Sequence, residues 1–104
     1  MTQAVTQCPV EEAIQIIGGK WKLLILRSLL LNGPQRYNEL LRTVTSISAK
    51  ELTRNLRELA KAGLVERGSG TSRMGGYDLT QLGKGLLPTF KKLLTWGKRL
   101  LASR

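Results

Sequence analysis

The segment Trp21–Leu31 constrains the fold more than any other part of the sequence, because eight of its eleven residues are apolar. A helix that is apolar nearly all round belongs in the middle of a core. A helix needs about 20 apolar residues to cross a bilayer, and this segment is shorter. It closes at Asn32-Gly33-Pro34, which is a helix-breaking sequence. The rest of the chain is therefore expected to fold around one central helix.

Apolar residues at helical spacing predict two more helices in the first half of the chain. The first spans Pro9–Ile17, with a proline at its first position and two glycines just beyond its end. The second is short and follows the central helix. After a brief extended link at Arg36-Tyr37, Asn38 can cap a helix over Glu39–Val44.

The clearest helix start in the sequence is the capping box that begins at Ser48. Its hydroxyl can accept from the Glu51 amide, while the Glu51 carboxylate reaches back to the start of the helix. Gly63 is placed to end this helix. Its predicted buried stripe consists of Leu52, Leu56 and Leu59.

The second half of the chain reads as a hairpin followed by a long helix. Two short strands, Leu64–Arg67 and Tyr77–Leu79, flank the glycine-rich loop Gly68–Gly76. Thr80 then caps a long last helix, and Pro88 inside it is expected to kink or locally open it.

This order of elements predicts a winged helix-turn-helix, a mostly α fold with a small β-hairpin wing. The helix that begins at Ser48 takes the place of a recognition helix, and the glycine-rich hairpin takes the place of the wing. We expect a single DNA-binding domain over residues 1–104.

The charge balance points to a polyanionic partner. Lys and Arg number 17 against 7 Asp and Glu, which gives a formal net charge of +10. Nucleic acid is the commonest partner of so basic a domain, although an anionic membrane surface also attracts it. No secretory signal is visible at the N-terminus, so we expect a cytoplasmic protein that does not enter the membrane.

The residue inventory argues against catalysis. The chain has no His, one Cys and one Asp, which excludes a Ser-His-Asp or Cys-His constellation and a zinc-ligand cluster. We therefore expect no enzymatic activity, no bound metal and no cofactor.

The predicted recognition helix is two-faced. Opposite its leucines lie Lys50, Arg54, Arg57 and Lys61, with Thr53 beside them. Such a face can enter the major groove, where Arg reads guanine edges and Lys neutralises phosphate, but it is also typical of a solvated surface. The wing adds Arg67 and Arg73, which can contact the phosphate backbone or enter the minor groove, unless the hairpin is only a mobile loop. The candidate DNA-binding residues are Arg36, Asn38, Ser48, Lys50, Thr53, Arg54, Arg57, Lys61, Arg67 and Arg73.

The last helix carries more apolar surface than one small core can absorb. Its arc runs from Leu82 through Phe90 to Leu100 and widens on one side. The surplus is expected to pair with a second copy of the chain. The candidate interface residues on this helix are Leu93, Leu94, Trp96, Leu100 and Leu101.

Cys8 is the one residue with possible sensor chemistry. It precedes Pro9 at a helix N-terminus, where the helix dipole favours the thiolate, whereas Glu11 and Glu12 in the same turn oppose it. The alternative is a small apolar residue that only packs.

Several linked motifs in the right order make the sequence resemble the HxlR-type regulators, which are bacterial winged-helix proteins allied to the MarR group. The resemblance runs from Cys8 to about Gly97. It rests on Cys8–Glu11, Ile17–Trp21, Arg36–Leu40, Leu52–Leu59, Gly63–Val65 and Tyr77–Gly83.

The resemblance implies a homodimer on a two-fold related operator, with dimerisation helices at the N- and C-terminal ends of the domain. It thereby adds Val10 and Ile14 of the first helix to the candidate interface. It implies that Ser48, Lys50, Thr53, Arg54 and Arg57 face DNA. It also implies that a thiol at the position of Cys8 can sense electrophiles or oxidants, as in a subset of the family. One departure is the stretch Ser72–Tyr77, which replaces a wing that is usually richer in proline.

The sequence therefore predicts a homodimeric, sequence-specific regulator of transcription that binds double-stranded DNA and responds to an oxidant or small-molecule inducer. Two other functions fit the same pattern. One is a winged-helix module whose basic face binds an acidic protein, and the other is an architectural protein that binds DNA without sequence preference.

Overall fold

The structure is a computed structural model that describes residues 8–68 and 76–104. Over these residues the chain has six helices and a two-stranded antiparallel sheet. The elements are α1 (Pro9–Ile17), α2 (Lys20–Asn32), α3 (Tyr37–Thr43), α4 (Ala49–Lys61), β1 (Val65–Arg67), β2 (Tyr77–Leu79), α5 (Gln81–Lys84) and α6 (Leu87–Ala102). This mostly helical architecture with a small sheet is the predicted winged helix-turn-helix.

The core forms around α2, as its apolar pattern predicts. Ile25 and Leu26 are fully buried, and Leu29 is nearly so, whereas Leu31 near the end of the helix faces outward. The leucine stripe of α4 packs against these residues of α2. The opposite face of α4 is therefore directed towards solvent. The buried apolar residues are Ile25, Leu26, Leu29, Leu40, Val44, Ile47, Leu52, Leu56, Leu59, Leu64, Val65 and Leu79.

The start of α3 differs from the sequence-based expectation. Arg36, and not Asn38, occupies the N-cap position, and Tyr37 is the first helical residue, not part of an extended link. The cause is Glu39, whose carboxylate accepts a hydrogen bond from the Arg36 backbone N–H at 2.8 Å. A glutamate at the third helical position satisfies an N–H that would otherwise lack a partner, and so fixes where the helix begins.

The start of α4 is as predicted. The Ser48 hydroxyl accepts from the Glu51 backbone N–H at 3.1 Å. The Glu51 carboxylate accepts from the Arg54 guanidinium at 2.6 Å, a contact that the capping-box pattern does not reveal. At the other end, Gly63 adopts a φ of 82°, which is the left-handed conformation that glycine supplies at helix ends.

The two strands pair in the register Val65 with Leu79, Glu66 with Asp78 and Arg67 with Tyr77. This pairing confirms the two predicted strands. Gln35 adds a single antiparallel bridge to Tyr77, which ties the sheet to the segment before α3. The predicted loop between the strands lies mostly outside the described residues. Arg73 is one of the loop residues that are not described.

The long last helix of the prediction is two helices. Thr80 does cap a helix, since its hydroxyl accepts from the Gly83 N–H at 3.1 Å, but that helix, α5, ends at Lys84. Pro88 lies in the first turn of α6, where a missing N–H costs nothing, instead of kinking a helix interior. Within the described ranges, no helix is long and apolar enough to span a membrane.

Candidate DNA-binding surface

The outer face of α4 carries the basic residues that the sequence places there. Lys50, Thr53, Arg54 and Arg57 border one open, shallow surface together with Ala49. All of them are exposed, because the leucines of α4 hold the other face against α2. This surface can present several N–H donors and three positive charges to a polyanion.

Lys61 lies apart from this group. It borders a different groove together with Gln15 and Ile16 of α1 and with Lys22 and Glu58. The structure thus does not bring Lys61 together with the basic centre of α4, although one helix carries all of them.

Arg54 is held by two carboxylates. Its Nη2 donates to Glu51 Oε1 at 2.6 Å, and its Nη1 donates to Glu58 Oε2 at 3.4 Å. The hydrogen bond to Glu51, helped by the charge of the same carboxylate, raises the pKa of Arg54 above its ordinary value. A side chain held in this way is suited to a contact that needs a fixed geometry.

Behind Glu58 lies a residue that the sequence analysis did not select. Lys22 of α2 donates from Nζ to Glu58 Oε1 at 2.5 Å and to Asn55 Oδ1 at 3.2 Å. The hydrogen bond from Lys22 lowers the pKa of Glu58, with a smaller contribution from the charge of Arg54. The one signal in the sequence was a cation near the start of a mostly apolar helix.

Tyr37 links α3 to α4. Its hydroxyl donates to the Ala49 carbonyl at 2.9 Å and lies 2.8 Å from Thr53 Oγ1. A tyrosine hydroxyl has one proton, so Thr53 is the donor in the second bond. The Thr53 side chain is therefore positioned by a contact from the preceding helix.

A second groove separates α4 from the sheet. Arg57 and Arg67 both border it, together with Tyr37, Thr53 and Tyr77. The Arg67 guanidinium lies 5.5 Å from the centre of the Tyr77 ring, a cation–π contact. This groove brings one cation of α4 and one cation of β1 to the same place, and a phosphate backbone could contact both.

Two other candidates lie at the start of α3. Arg36 and Asn38 are both exposed, at the N-cap and within the first turn. The hydroxyl of Ser48 is engaged as the cap acceptor of α4 but keeps its own proton as a donor.

The predicted interface residues lie outside the core. Val10 and Ile14 on α1 are 65% and 60% exposed, and Leu101 on α6 is 69% exposed. In a single chain these side chains face outward. The members of the set on α6 are Leu93, Leu94, Trp96, Leu100 and Leu101.

Cys8 is exposed and occupies the N-cap position of α1. Its carbonyl accepts from the Glu12 backbone N–H at 2.9 Å, so the residue belongs to the first helical turn. Among the described residues, no three His, Cys, Asp or Glu side chains are grouped so that they could hold a metal ion.

Known proteins resemble this chain over most of its length. The family described as HxlR-like helix-turn-helix matches residues 16–104. The HTH-type transcriptional regulator YkvN of Bacillus subtilis is 41% identical over 92 residues, which cover 86% of this chain and 77% of that protein.

Solved structures agree with the family match. The quinone-bound YodB of Bacillus subtilis superposes with a TM-score of 0.77 at 33% identity, over 89% of this chain and 99% of that one. The redox regulator HypR in its reduced form superposes with a TM-score of 0.78 at 34% identity, over 93% of this chain and all of that one.

Proposed function

Since the chain belongs to the HxlR-like helix-turn-helix family of transcription regulators, we propose that it acts as a homodimer that recognises a two-fold related operator sequence. In this proposal α4 reads base edges in the major groove, and the sheet contacts the DNA backbone. The observation that carries the proposal is the exposed basic face of α4, on which two carboxylates hold one arginine in place.

Base reading requires a side chain with a fixed orientation, whereas a phosphate contact tolerates a mobile one. Arg54 satisfies the first requirement because it is bonded to both Glu51 and Glu58. A guanidinium carries five N–H donors, so two bonds to carboxylates leave three for a guanine edge. Arg57 borders both this surface and the adjoining groove, whereas Arg67 borders only the groove, where the backbone would pass.

Dimerisation follows from the apolar surface on α1 and α6. Large apolar side chains on both helices face outward in the single chain. Several large exposed apolar side chains on one helix, as on α6, favour an interface with another chain. A protomer of this size covers one half-site, and pairing two protomers supplies both the affinity and the spacing that an operator requires.

Thiol sensing is the third part of the proposal. Cys8 is an exposed free thiol at the N-cap of α1, so an oxidant or electrophile can reach its sulfur. Two of the structurally similar proteins support it: YodB, described with a bound quinone, and HypR, a redox regulator with oxidised and reduced forms. Modification of Cys8 by an oxidant or an electrophile would then change the affinity for DNA.

Arginine variants test the recognition step. On the preferred operator, Arg54→Ala or Arg57→Ala is expected to cost about 1–3 kcal/mol and to relax the preference at one base position. Arg73→Ala, in the predicted wing loop, is expected to weaken binding equally on all sequences and to reduce the salt slope by about one. Each variant is titrated with salt on operator and random duplexes. If Arg54→Ala and Arg57→Ala lower both affinities equally, α4 only grips phosphates and the proposal is wrong.

A further inference from the structure

We propose that Lys22 is a positioning residue for sequence recognition, which acts from the core through Glu58 on Arg54. The inference deepens the proposed function, because it takes Arg54 as the side chain that reads a base. Lys22 itself lies on α2, which does not present the DNA-facing surface.

Hydrogen bonds link Lys22 to Arg54 through the carboxylate of Glu58. Lys22 binds Oε1 of Glu58 at 2.5 Å, and Arg54 binds Oε2 of the same carboxylate at 3.4 Å. The other amino group of Arg54 binds Glu51 at 2.6 Å. Lys22 therefore fixes the orientation of the Glu58 carboxylate, and with it one of the two acceptors that hold Arg54.

Lys22, at one end of this series of contacts, is held by the protein interior. The Lys22 side chain is only 14% exposed, whereas those of Glu58 and Arg54 are 45% and 51% exposed. Lys22 also donates to the buried Asn55, whose own amide donates to the Glu51 carbonyl at 2.7 Å. Exposed ion pairs alone order side chains weakly, because two long side chains must both give up their freedom. Because Lys22 is anchored, it already restricts the rotation of the Glu58 side chain before Arg54 binds to it.

Charge gives a second reason for this arrangement. Two carboxylates beside a DNA-facing arginine repel phosphates, which weakens binding unless another cation compensates. Lys22 and Arg54 together balance Glu51 and Glu58, so the group of four carries no net charge. Arg54 can thus be ordered by carboxylates without a net negative charge in the interface.

The test compares two lysines on the same helix. Lys22→Met keeps most of the length of the side chain and removes the bonds to Glu58 and Asn55. Lys20→Met removes the same charge from α2, but Lys20 contacts the Trp21 ring instead of a carboxylate. We expect Lys22→Met to lower the ratio of operator to random-duplex affinity about three- to tenfold, and Lys20→Met to leave this ratio unchanged. The salt slope should stay the same in Lys22→Met, because Lys22 contacts no phosphate.

A double-mutant cycle separates positioning from a structural effect. In an Arg54→Ala background, Lys22→Met is expected to change the affinity ratio no further. If Lys22→Met lowers the ratio by the same factor in both backgrounds, it does not act through Arg54 and the inference is overturned.

A measurement on the DNA-free protein keeps this inference distinct from the proposed function. The NMR order parameter of the Arg54 Nε–H bond should fall in Lys22→Met and stay unchanged in Lys20→Met. An unchanged value in Lys22→Met contradicts the inference, whatever the DNA results are. If the unmodified protein shows no operator preference, the proposed function fails, and the order parameter still decides whether Lys22 positions Arg54.

Discussion

Replacing Gln35 by Ala removes the centre of a buried polar cluster that joins α2, α3 and the sheet. Gln35 Nε2 donates to the Ser28 carbonyl at 3.1 Å and to Ser28 Oγ at 2.9 Å. Its Oε1 accepts from Thr43 Oγ1 at 2.9 Å, and its backbone pairs with Tyr77 of β2. The side chain is 5% exposed, so water cannot replace these bonds without entering the core.

The expected cost follows from the bonds that are lost. Three hydrogen bonds at about 1 kcal/mol each give about 3 kcal/mol. Ser28 Oγ and Thr43 Oγ1 lie 2.8 Å apart and keep each other as partners, which limits the further penalty for unpaired groups. For a domain of this size the loss corresponds to a fall in Tm of roughly 10–25 °C.

Chemical denaturation at a fixed protein concentration measures this effect, since the proposed dimerisation would make stability depend on concentration. Asn32→Ala is the matched control, because Asn32 is exposed and makes a 3.4 Å contact between uncharged groups to the same Ser28 hydroxyl. The control should change the free energy of unfolding by less than about 0.5 kcal/mol. A Gln35→Ala variant within about 1 kcal/mol of the parent would refute the reasoning, since the cluster would then not behave as a buried network.

Three further predictions concern the interface, the thiol and pH. Replacing Leu93 and Leu100 together by Glu should yield monomers in sedimentation and abolish cooperative operator binding; an unmodified protein that is monomeric at micromolar concentration contradicts the dimer. Cys8 should react with a thiol probe faster than free cysteine near neutral pH, and an oxidant should change the DNA affinity of the parent but not of Cys8→Ser. If the oxidant changes the DNA affinity of neither protein, Cys8 is not a sensor. Because Lys22 lowers the pKa of Glu58 below 4.5, the carboxylate stabilises the fold above that pH, and its contribution is lost as the pH falls through the folded-state pKa. Glu58→Gln should therefore be less stable than the parent at neutral pH, and the difference should shrink in acid; a constant difference would show that the Glu58 charge is not involved.

Features of the fold that depend on neighbours in sequence could be predicted. The cap at Ser48 and the leucine stripe of α4 follow from spacings of three and four residues, and both are present. The start of α3 was harder, because Asn38 has the better intrinsic capping propensity. Arg36 is nevertheless the N-cap, because the Glu39 carboxylate accepts a hydrogen bond from its backbone N–H. Capping propensities of single residues do not include that contact.

The end of the chain shows the same limit. The apolar pattern continues past Gly85, so periodicity alone predicted one helix where the structure has two. Gly83 packs so closely on the Leu64 carbonyl that a Cβ atom there would lie 2.3 Å from its oxygen. Such a contact between distant segments holds α5 against the start of the sheet, and it cannot be derived from the local pattern.

The basic face of α4 was predictable, but the order imposed on it was not. A helical projection places Arg54 on the exposed side without showing that Glu51 and Glu58 bind it. Lys22 is 36 residues from Glu58 in sequence, so only the packing of α2 on α4 brings them together. Partners across elements require the tertiary structure, whereas the faces of single elements do not.

Selection of bound sequences from random duplex DNA by the full chain tests the central claim most directly. A dimer that reads bases with α4 should enrich two inverted half-sites whose centres lie about one helical turn, 10–10.5 bp, or a multiple of it apart. Enrichment of a single unpaired half-site would contradict the two-fold operator. Recovery of sequences no different from the starting pool would contradict sequence recognition itself.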